Sequence, residues 1–214
     1  VSGGATSSFI AMPYPADYNV FSLVCLDEPL CAPKDKSIID YANSKLGDEY
    51  ISQFGEFIAT AEDDKTIYAM RDLEQMLGKE IVWVRGKSFD KLIDERYQRV
   101  LLGNRFRLPS WARRYCTIEM KMEPIFYWWF KHLGEKVRMN IGFRFEEFDR
   151  MERFFNNSDP CNFKIPVSTR TYGQKLQQHE SFNWRFCHFP LVKEGISKPQ
   201  IEEYWKGKDI DFPV

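Results

Sequence analysis

The first seven residues, Val-Ser-Gly-Gly-Ala-Thr-Ser, have the composition of a loop that binds phosphate. A phosphate group needs backbone N–H donors in a concave turn, and glycine permits the close approach because it has no Cβ and tolerates positive φ. Gly3 and Gly4 supply that freedom, while Ser2, Thr6 and Ser7 add hydroxyl groups. A helix that starts near Ser7 would direct its positive end at the anion. The segment is therefore predicted to bind a pyrophosphate.

The same short string also occurs in flexible N-terminal tails and plain turns, so this alternative stays open at the level of the loop alone. A Walker-type phosphate loop is not matched, because Gly86-Lys87-Ser88 has Ile81 at the position where that pattern requires its first glycine. The rest of the chain must therefore indicate which kind of site the loop belongs to.

The elements that would position the loop alternate between apolar runs suited to buried strands and segments of helical period. This alternation predicts an α/β fold, a Rossmann-like parallel sheet flanked by helices. The predicted strands are residues 19–26, 56–60, 81–84, 137–142 and 184–192. The predicted helices are one capped by Asp35 and stopped at Gly47, one after the acidic residues 62–64 and closed by Gly78, residues 89–99, one from Pro124 to Gly134, and residues 200–205.

The chain of 214 residues is predicted to form a single domain, with a polar insertion at about residues 151–180. Its 30 basic and 31 acidic residues nearly cancel, so no global field marks a nucleic-acid or membrane binder. The five cysteines are scattered and odd in number, which favours reduced thiols in the cytoplasm and gives no iron–sulfur or zinc motif. No apolar run is long enough for a membrane span, and no metal ligand set is predicted.

Several ordered motifs make the chain resemble the PP-loop superfamily of adenine nucleotide alpha hydrolases, and within it the phosphoadenosine phosphosulfate reductase-like proteins, including bacteriophage versions. The resemblance covers most of the chain. The matching segments are the Ser-Gly-Gly loop, Leu26-Asp27-Glu28 at the end of the second strand, Cys-Thr-Ile-Glu-Met-Lys at 116–121 before Pro124, Ile-Gly-Phe-Arg-Phe-Glu-Glu at 141–147, and Phe-Pro-Leu at 189–191.

The chain departs from the family pattern in four places. Only Val1 represents the strand expected before the loop, which suggests that the chain has lost its first residues. Pro13 and Pro15 interrupt the helix expected after it. Thr6 stands where adenylating members usually carry an Asp that helps to hold magnesium. The paired cysteines of iron–sulfur sulfonucleotide reductases and the Glu-Cys-Gly tail are missing.

The resemblance implies roles for individual residues. Nucleotide-binding residues are expected at Ser2, Gly3, Gly4, Ala5, Thr6, Ser7, Leu26, Asp27, Gly142 and Arg144. Arg144, Lys121 and Cys116 are the expected catalytic residues, the first two as phosphate contacts and the third as a thiolate that two preceding arginines favour.

Each of these residues also has a plain structural alternative. Arg144 can form a surface salt bridge with Glu146, Glu147 or Glu152. Asp27 can cap a loop, and Cys116 can be a small buried hydrophobe. The basic and aromatic run at residues 105–115 is typical of a solvated face, although it can also clamp an anion or stack a base.

The resemblance implies an enzyme that acts at the α-phosphate or sulfonucleotide group of ATP or phosphoadenosine phosphosulfate. Magnesium is left open as a cofactor, and no iron–sulfur cluster is expected. Sulfur transfer or sulfonucleotide reduction, and a non-catalytic nucleotide-binding or regulatory module, remain alternatives. The acceptor substrate is unknown, with nucleic acid one candidate, and a homo-oligomer is left open. The expected location is the cytoplasm, that of the host if a phage encodes the chain.

Overall fold

A computed structural model describes residues 1–101, 109, 115–156, 159–168 and 177–213. The helices in these ranges are α1 Ala5–Ala11, α2 Lys36–Phe54, α3 Lys65–Leu77, α4 Phe89–Leu101, α5 Tyr115–Thr117, α6 Glu123–His132, α7 Phe148–Asn156, α8 Pro190–Lys193 and α9 Lys198–Trp205. The strands are β1 Asn19–Leu23, β2 Cys25–Leu26, β3 Ala59–Thr60, β4 Ile81–Arg85, β5 Val137–Asn140, β6 Asn162–Ser168, β7 Gln177–Asn183 and β8 Arg185–His188. A π-helical turn, Ile118–Met122, joins α5 to α6.

The described strands form pairs. β1 lies parallel to β4, with Asn19 opposite Ile81, and β5 lies parallel to β8, with Val137 opposite Arg185. β2 pairs with β3 and β6 pairs with β7, both antiparallel. The mixed α/β class with parallel pairing that the alternation predicts is confirmed, while the continuous Rossmann-like sheet stays a prediction.

Helix α3 shows how the sequence builds the core. Ile67, Met70 and Leu73 recur at helical spacing and are buried in the core cluster that also contains residues of β1 and β4. The helix ends at Gly78, whose φ of +58° is a left-handed conformation that glycine adopts without strain. The predicted stop at Gly78 is therefore confirmed.

Several predicted boundaries differ from the structure: the strands at 56–60 and 137–142 are shortened to Ala59–Thr60 and Val137–Asn140. Three other differences have a local cause. The strand at 19–26 is divided because the Val24 carbonyl accepts hydrogen bonds from β3 and the residue after it, which turns the chain from β4 towards β3. Gly47 kinks α2 with φ +68°, but the helix resumes because Tyr50 still packs on the core. The strand at 184–192 stops at His188, since Pro190 lacks the N–H that a strand ladder needs and begins α8.

Another apolar cluster lies around α6, β5 and the antiparallel pair β6–β7. Phe126, Trp129 and Trp184 are buried there, and Phe126 stacks on Phe163 with the ring centroids 4.5 Å apart. The segment at 151–180, predicted to be a polar insertion, thus contains most of α7, all of β6 and the start of β7, and Phe163 and Ile165 of β6 join this cluster. Across the part of the chain that the structure describes, no helix has the length and apolar character of a membrane span.

Candidate functional site

The backbone of the N-terminal loop is shaped by Gly3. Its φ is +77°, and a Cβ at this position would lie 2.2 Å from the Cγ2 of Thr66, a buried residue in the first turn of α3. Gly4 is different: its φ of −95° suits any residue, and a Cβ there would meet no atom within 4 Å. The fold therefore requires glycine at position 3 but not at position 4.

The serine hydroxyls hold the loop closed. The Ser7 hydroxyl donates to the Gly4 carbonyl at 3.0 Å, and it accepts hydrogen bonds from the Ser2 amide and the Ser2 hydroxyl, both at 2.9 Å. This network uses the Ser7 proton inside the loop. For Ser7 to donate to a phosphate, as the sequence predicts, its hydroxyl would first have to rotate away from Gly4.

The free donors of the loop are backbone amides. Within the described ranges, the N–H groups of residues 4–7 have no acceptor, and the first amide of α1 that bonds within the chain is Ser8 N, which donates to Gly4 O at 3.1 Å. The N-cap residue of α1 is Gly4, and no side-chain hydrogen bond caps the helix there. A concave turn with several unpaired N–H groups is suited to an anion.

Arg144 reaches this loop from the other end of the chain. Its Nη1 donates to Thr6 Oγ1 at 3.3 Å, across a separation of 138 residues. The same guanidinium is paired with two carboxylates, Nε with Glu146 Oε1 at 2.9 Å and Nη2 with Glu147 Oε2 at 3.4 Å. The two interpretations of Arg144, loop contact and surface ion pair, therefore occur together.

Glu146 would compete with an anionic ligand for the Arg144 guanidinium. Although desolvation acts to raise it, the pKa of Glu146 lies below its ordinary value, because its own amide, the Lys198 amide and Arg144 stabilise the carboxylate. Glu146 is therefore ionised at neutral pH. An anionic ligand that binds Arg144 must displace this carboxylate or share the guanidinium with it.

Two further residues fix the loop against the body of the protein. Gly142 follows β5, and a Cβ there would lie 3.3 Å from Ile10 Cδ1 and 3.5 Å from Thr6 Cγ2. Trp205 of α9 donates from Nε1 to the Ala5 carbonyl at 3.0 Å. The structure thus brings Gly142 to the loop, as the resemblance implies, and adds an anchor on Ala5 that no sequence pattern indicated.

Lys121 and Cys116 lie apart from the loop in the described contacts. Lys121, in the π-helical turn, forms an ion pair with Glu62, which precedes α3. Cys116 is half-buried and packs with Val24, Leu92 and Met120. No hydrogen bond or ion pair among the described residues joins either side chain to the loop.

Leu26 and Asp27 lie where β2 ends. Leu26 pairs with Ala59, and the Asp27 amide donates to Asp90 Oδ2 at 2.6 Å. The Asp27 carboxylate accepts a hydrogen bond from Ser88 Oγ at 2.5 Å. Asp27 is thus held at the start of α4, and the contacts with Ser88 and Asp90 had no signal in the sequence because these partners lie 61 and 63 residues away.

The basic and aromatic run falls largely outside the described residues, which exclude the side chains of Arg105, Phe106, Arg107, Trp111, Arg113 and Arg114. Among the described residues, no group of three or more His, Cys, Asp or Glu is arranged to hold a metal ion. Comparisons with protein-family models, curated proteins and solved structures found no match to this chain. The geometry of the loop and its neighbours is therefore the basis of the functional proposal.

Proposed function

We propose that the chain binds an adenine nucleotide, ATP or phosphoadenosine phosphosulfate, with the pyrophosphate at residues 2–7, and acts at the α-phosphate or the sulfonucleotide group. The observation that carries the proposal is the contact between Arg144 and Thr6, across 138 residues. It supports the proposal because the guanidinium lies beside the unpaired backbone amides of the loop, so an anion that displaces Glu146 would contact both.

The proposal includes a Rossmann-like arrangement in which the two parallel pairs belong to one sheet with the loop between them. Two contacts support this arrangement. The Val1 amino group donates to the Val20 carbonyl of β1 at 2.8 Å, and Gly142, just after β5, packs against Thr6. Open parallel sheets bind ligands at the carboxyl ends of their strands, where loops of this kind lie.

The chemistry would be electrostatic. An acceptor nucleophile would form a bond to the α-phosphorus while the bond to the bridging oxygen of pyrophosphate breaks, and negative charge would build on the phosphate oxygens. The amides of residues 4–7 and the Arg144 guanidinium are the groups proposed to stabilise that charge. Lys121 would act as a second cation if it exchanged Glu62 for phosphate.

Magnesium would neutralise phosphate charge in such a reaction. Thr6, a hydroxyl that accepts from Arg144, stands where a carboxylate would contribute a metal ligand, so we assign no magnesium ligand within the loop. The same feature favours the second candidate function, a module that binds the nucleotide without cleaving it. The acceptor substrate stays unassigned, with nucleic acid a candidate.

The test uses Gly4→Ala, because the structure predicts that this change leaves the fold intact. A Cβ on Gly4 meets no protein atom within 4 Å. A loss of binding in this variant would therefore reflect contact between the added methyl group and the ligand, and not a disturbed fold. We expect calorimetry to show ATP or phosphoadenosine phosphosulfate binding below millimolar to the unmodified chain, and at least tenfold weaker binding to Gly4→Ala. Unfolding of the variant in urea should change little.

Two outcomes would contradict the proposal: no binding of ATP, AMP or phosphoadenosine phosphosulfate below millimolar, or equal affinity in Gly4→Ala. Assays for pyrophosphate, AMP and sulfite release then separate an enzyme from a binding module, since a module binds without product. Cys116→Ser tests the thiol alternative. If this variant keeps full activity, Cys116 is not the nucleophile.

A further inference from the structure

Two cysteines that are far apart in the sequence lie side by side in the fold. Cys161 is in the turn before β6 and Cys187 is in β8, 26 residues later, yet their Sγ atoms are 3.9 Å apart. Both side chains are half-buried and both thiols are free. The scattered positions in the sequence gave no sign of this pair, because the antiparallel strands β6 and β7 bring the two ends together.

The backbone around the pair is held by several hydrogen bonds. The Trp184 amide donates to the Cys161 carbonyl at 3.1 Å, and the Arg185 Nε donates to the Pro160 carbonyl at 2.7 Å. The Cys187 thiol is directed at the same Pro160 carbonyl, 3.8 Å away. These contacts fix the turn against β8, so the two sulfur atoms stay neighbours in the folded chain.

A buried cation lies beside the two sulfurs. Arg185 is 5% exposed, and in the part of the chain that the structure describes its guanidinium contacts the Pro160 carbonyl and the Met139 sulfur rather than a carboxylate. Burial lowers the pKa of Arg185, whereas the sulfurs act to raise it. The guanidinium therefore favours negative charge on sulfur at this position.

The two thiols are not equivalent. Burial raises the pKa of Cys187 to about 11, against the opposing effect of Arg185. Cys187 is therefore a thiol at neutral pH. Because the Cys187 thiol also has the Pro160 carbonyl as a hydrogen-bond partner, the first oxidation step is assigned to Cys161, and Cys187 is the resolving thiol.

We propose that Cys161 and Cys187 form a redox modification site, at which a peroxide-class oxidant joins the two sulfurs in an intramolecular disulfide. The Cys161 sulfur attacks one peroxide oxygen, the O–O bond breaks and water leaves, which gives a sulfenic acid. The Cys187 sulfur then attacks the Cys161 sulfur, the S–O bond breaks, and the hydroxide leaves with the Cys187 proton as a second water. Two thiols and one hydrogen peroxide thus give one disulfide and two waters.

The movement required is small. A disulfide has its sulfurs about 2 Å apart, so the present separation must shorten by about 1.9 Å. The bond would tie the turn before β6 directly to β8. The site is independent of the nucleotide proposal because it uses none of the loop residues.

The test is peptide mapping of the full chain after treatment with one equivalent of hydrogen peroxide at low protein concentration. We expect the titre of free thiols to fall from five to three per chain, a non-reduced digest to contain a Cys161–Cys187 cross-linked peptide, and dithiothreitol to reverse both changes. Cys116→Ser is the matched control, since it removes a half-buried cysteine elsewhere and should leave the cross-link intact.

Single replacement of either partner gives the second arm. In Cys187→Ser, oxidised Cys161 has no partner and should be trapped by dimedone as a sulfenic acid. If a variant does not fold, as judged by circular dichroism, the map of the unmodified chain decides alone. The proposal is overturned if that map shows no Cys161–Cys187 peptide while the exposed Cys31 is already oxidised.

Discussion

Replacement of Gly3 by alanine should destabilise the protein strongly, and the structure gives the size of the effect. An alanine at φ +77° costs about 1–2 kcal/mol in a left-handed conformation. Its Cβ would also lie 2.2 Å from Thr66 Cγ2, and overpacking of a well-packed site costs about 1–3 kcal/mol more. The expected loss in the free energy of unfolding is therefore about 2–5 kcal/mol, a large part of the stability of an ordinary domain.

The contact with Thr66 can be separated from the backbone effect by a double-mutant cycle. Thr66→Ser removes the Cγ2 methyl, after which the nearest atom to an added Cβ is the Cβ of residue 66, at 3.3 Å. Gly3→Ala should then cost only the backbone part, about 1–2 kcal/mol, so the coupling energy is about 1–3 kcal/mol. Thr66→Ser alone should cost about 1 kcal/mol, since it deletes one buried methyl group.

Urea unfolding followed by tryptophan fluorescence measures all four proteins, because the chain's six tryptophans supply the signal. Gly4→Ala is the matched control, with an expected change below about 1 kcal/mol at a helix N-cap that has no side-chain bond. Equal destabilisation by Gly3→Ala and Gly4→Ala, or no relief by Thr66→Ser, would refute the reasoning about the loop.

Three further predictions concern charge and redox state. In a chain that begins at Val1, burial lowers the pKa of the Val1 amino group to about 6. Because the unfolded chain then binds this proton more tightly than the folded chain, the free energy of unfolding should rise by about 1–2 kcal/mol between pH 6 and 8. Acetylation of the amino group should abolish this rise. A Cys161–Cys187 disulfide closes a 26-residue separation and should raise the unfolding free energy by about 3.5 kcal/mol, measured in urea with and without reductant. Arg144→Gln should change stability by less than about 1 kcal/mol, because its ion pairs are partly exposed, but it should weaken nucleotide binding about 10–100-fold in calorimetry, as loss of a charge-assisted hydrogen bond does. An unchanged affinity would remove Arg144 from the site.

Local patterns predicted the elements well where one residue type decides the outcome. Gly78 ends α3 because its left-handed conformation favours glycine, and Pro124 lies in the first turn of α6 because the missing N–H has no partner to lose there. The same reasoning failed at Gly47, where the apolar contacts of the following turn outweigh the local signal to stop.

For the candidate site too, the sequence predicted some features and missed others. The sequence indicated the loop and Arg144 as separate motifs, and the resemblance alone linked them. Only the tertiary structure brings the Arg144 guanidinium to the Thr6 hydroxyl and reveals Trp205 on the Ala5 carbonyl, since such contacts depend on strand order and helix packing rather than on local spacing.

The sequence by itself determined the mixed α/β class, several helix ends and a glycine-rich loop with the donors that a phosphate needs. The tertiary structure alone decided why Gly3 cannot carry a side chain, which is the position of Thr66. It also decided that Cys161 and Cys187 are neighbours, because β6 and β7 return the chain to β8. Periodicity and propensity act over a few residues, whereas these contacts join segments that folding alone brings together.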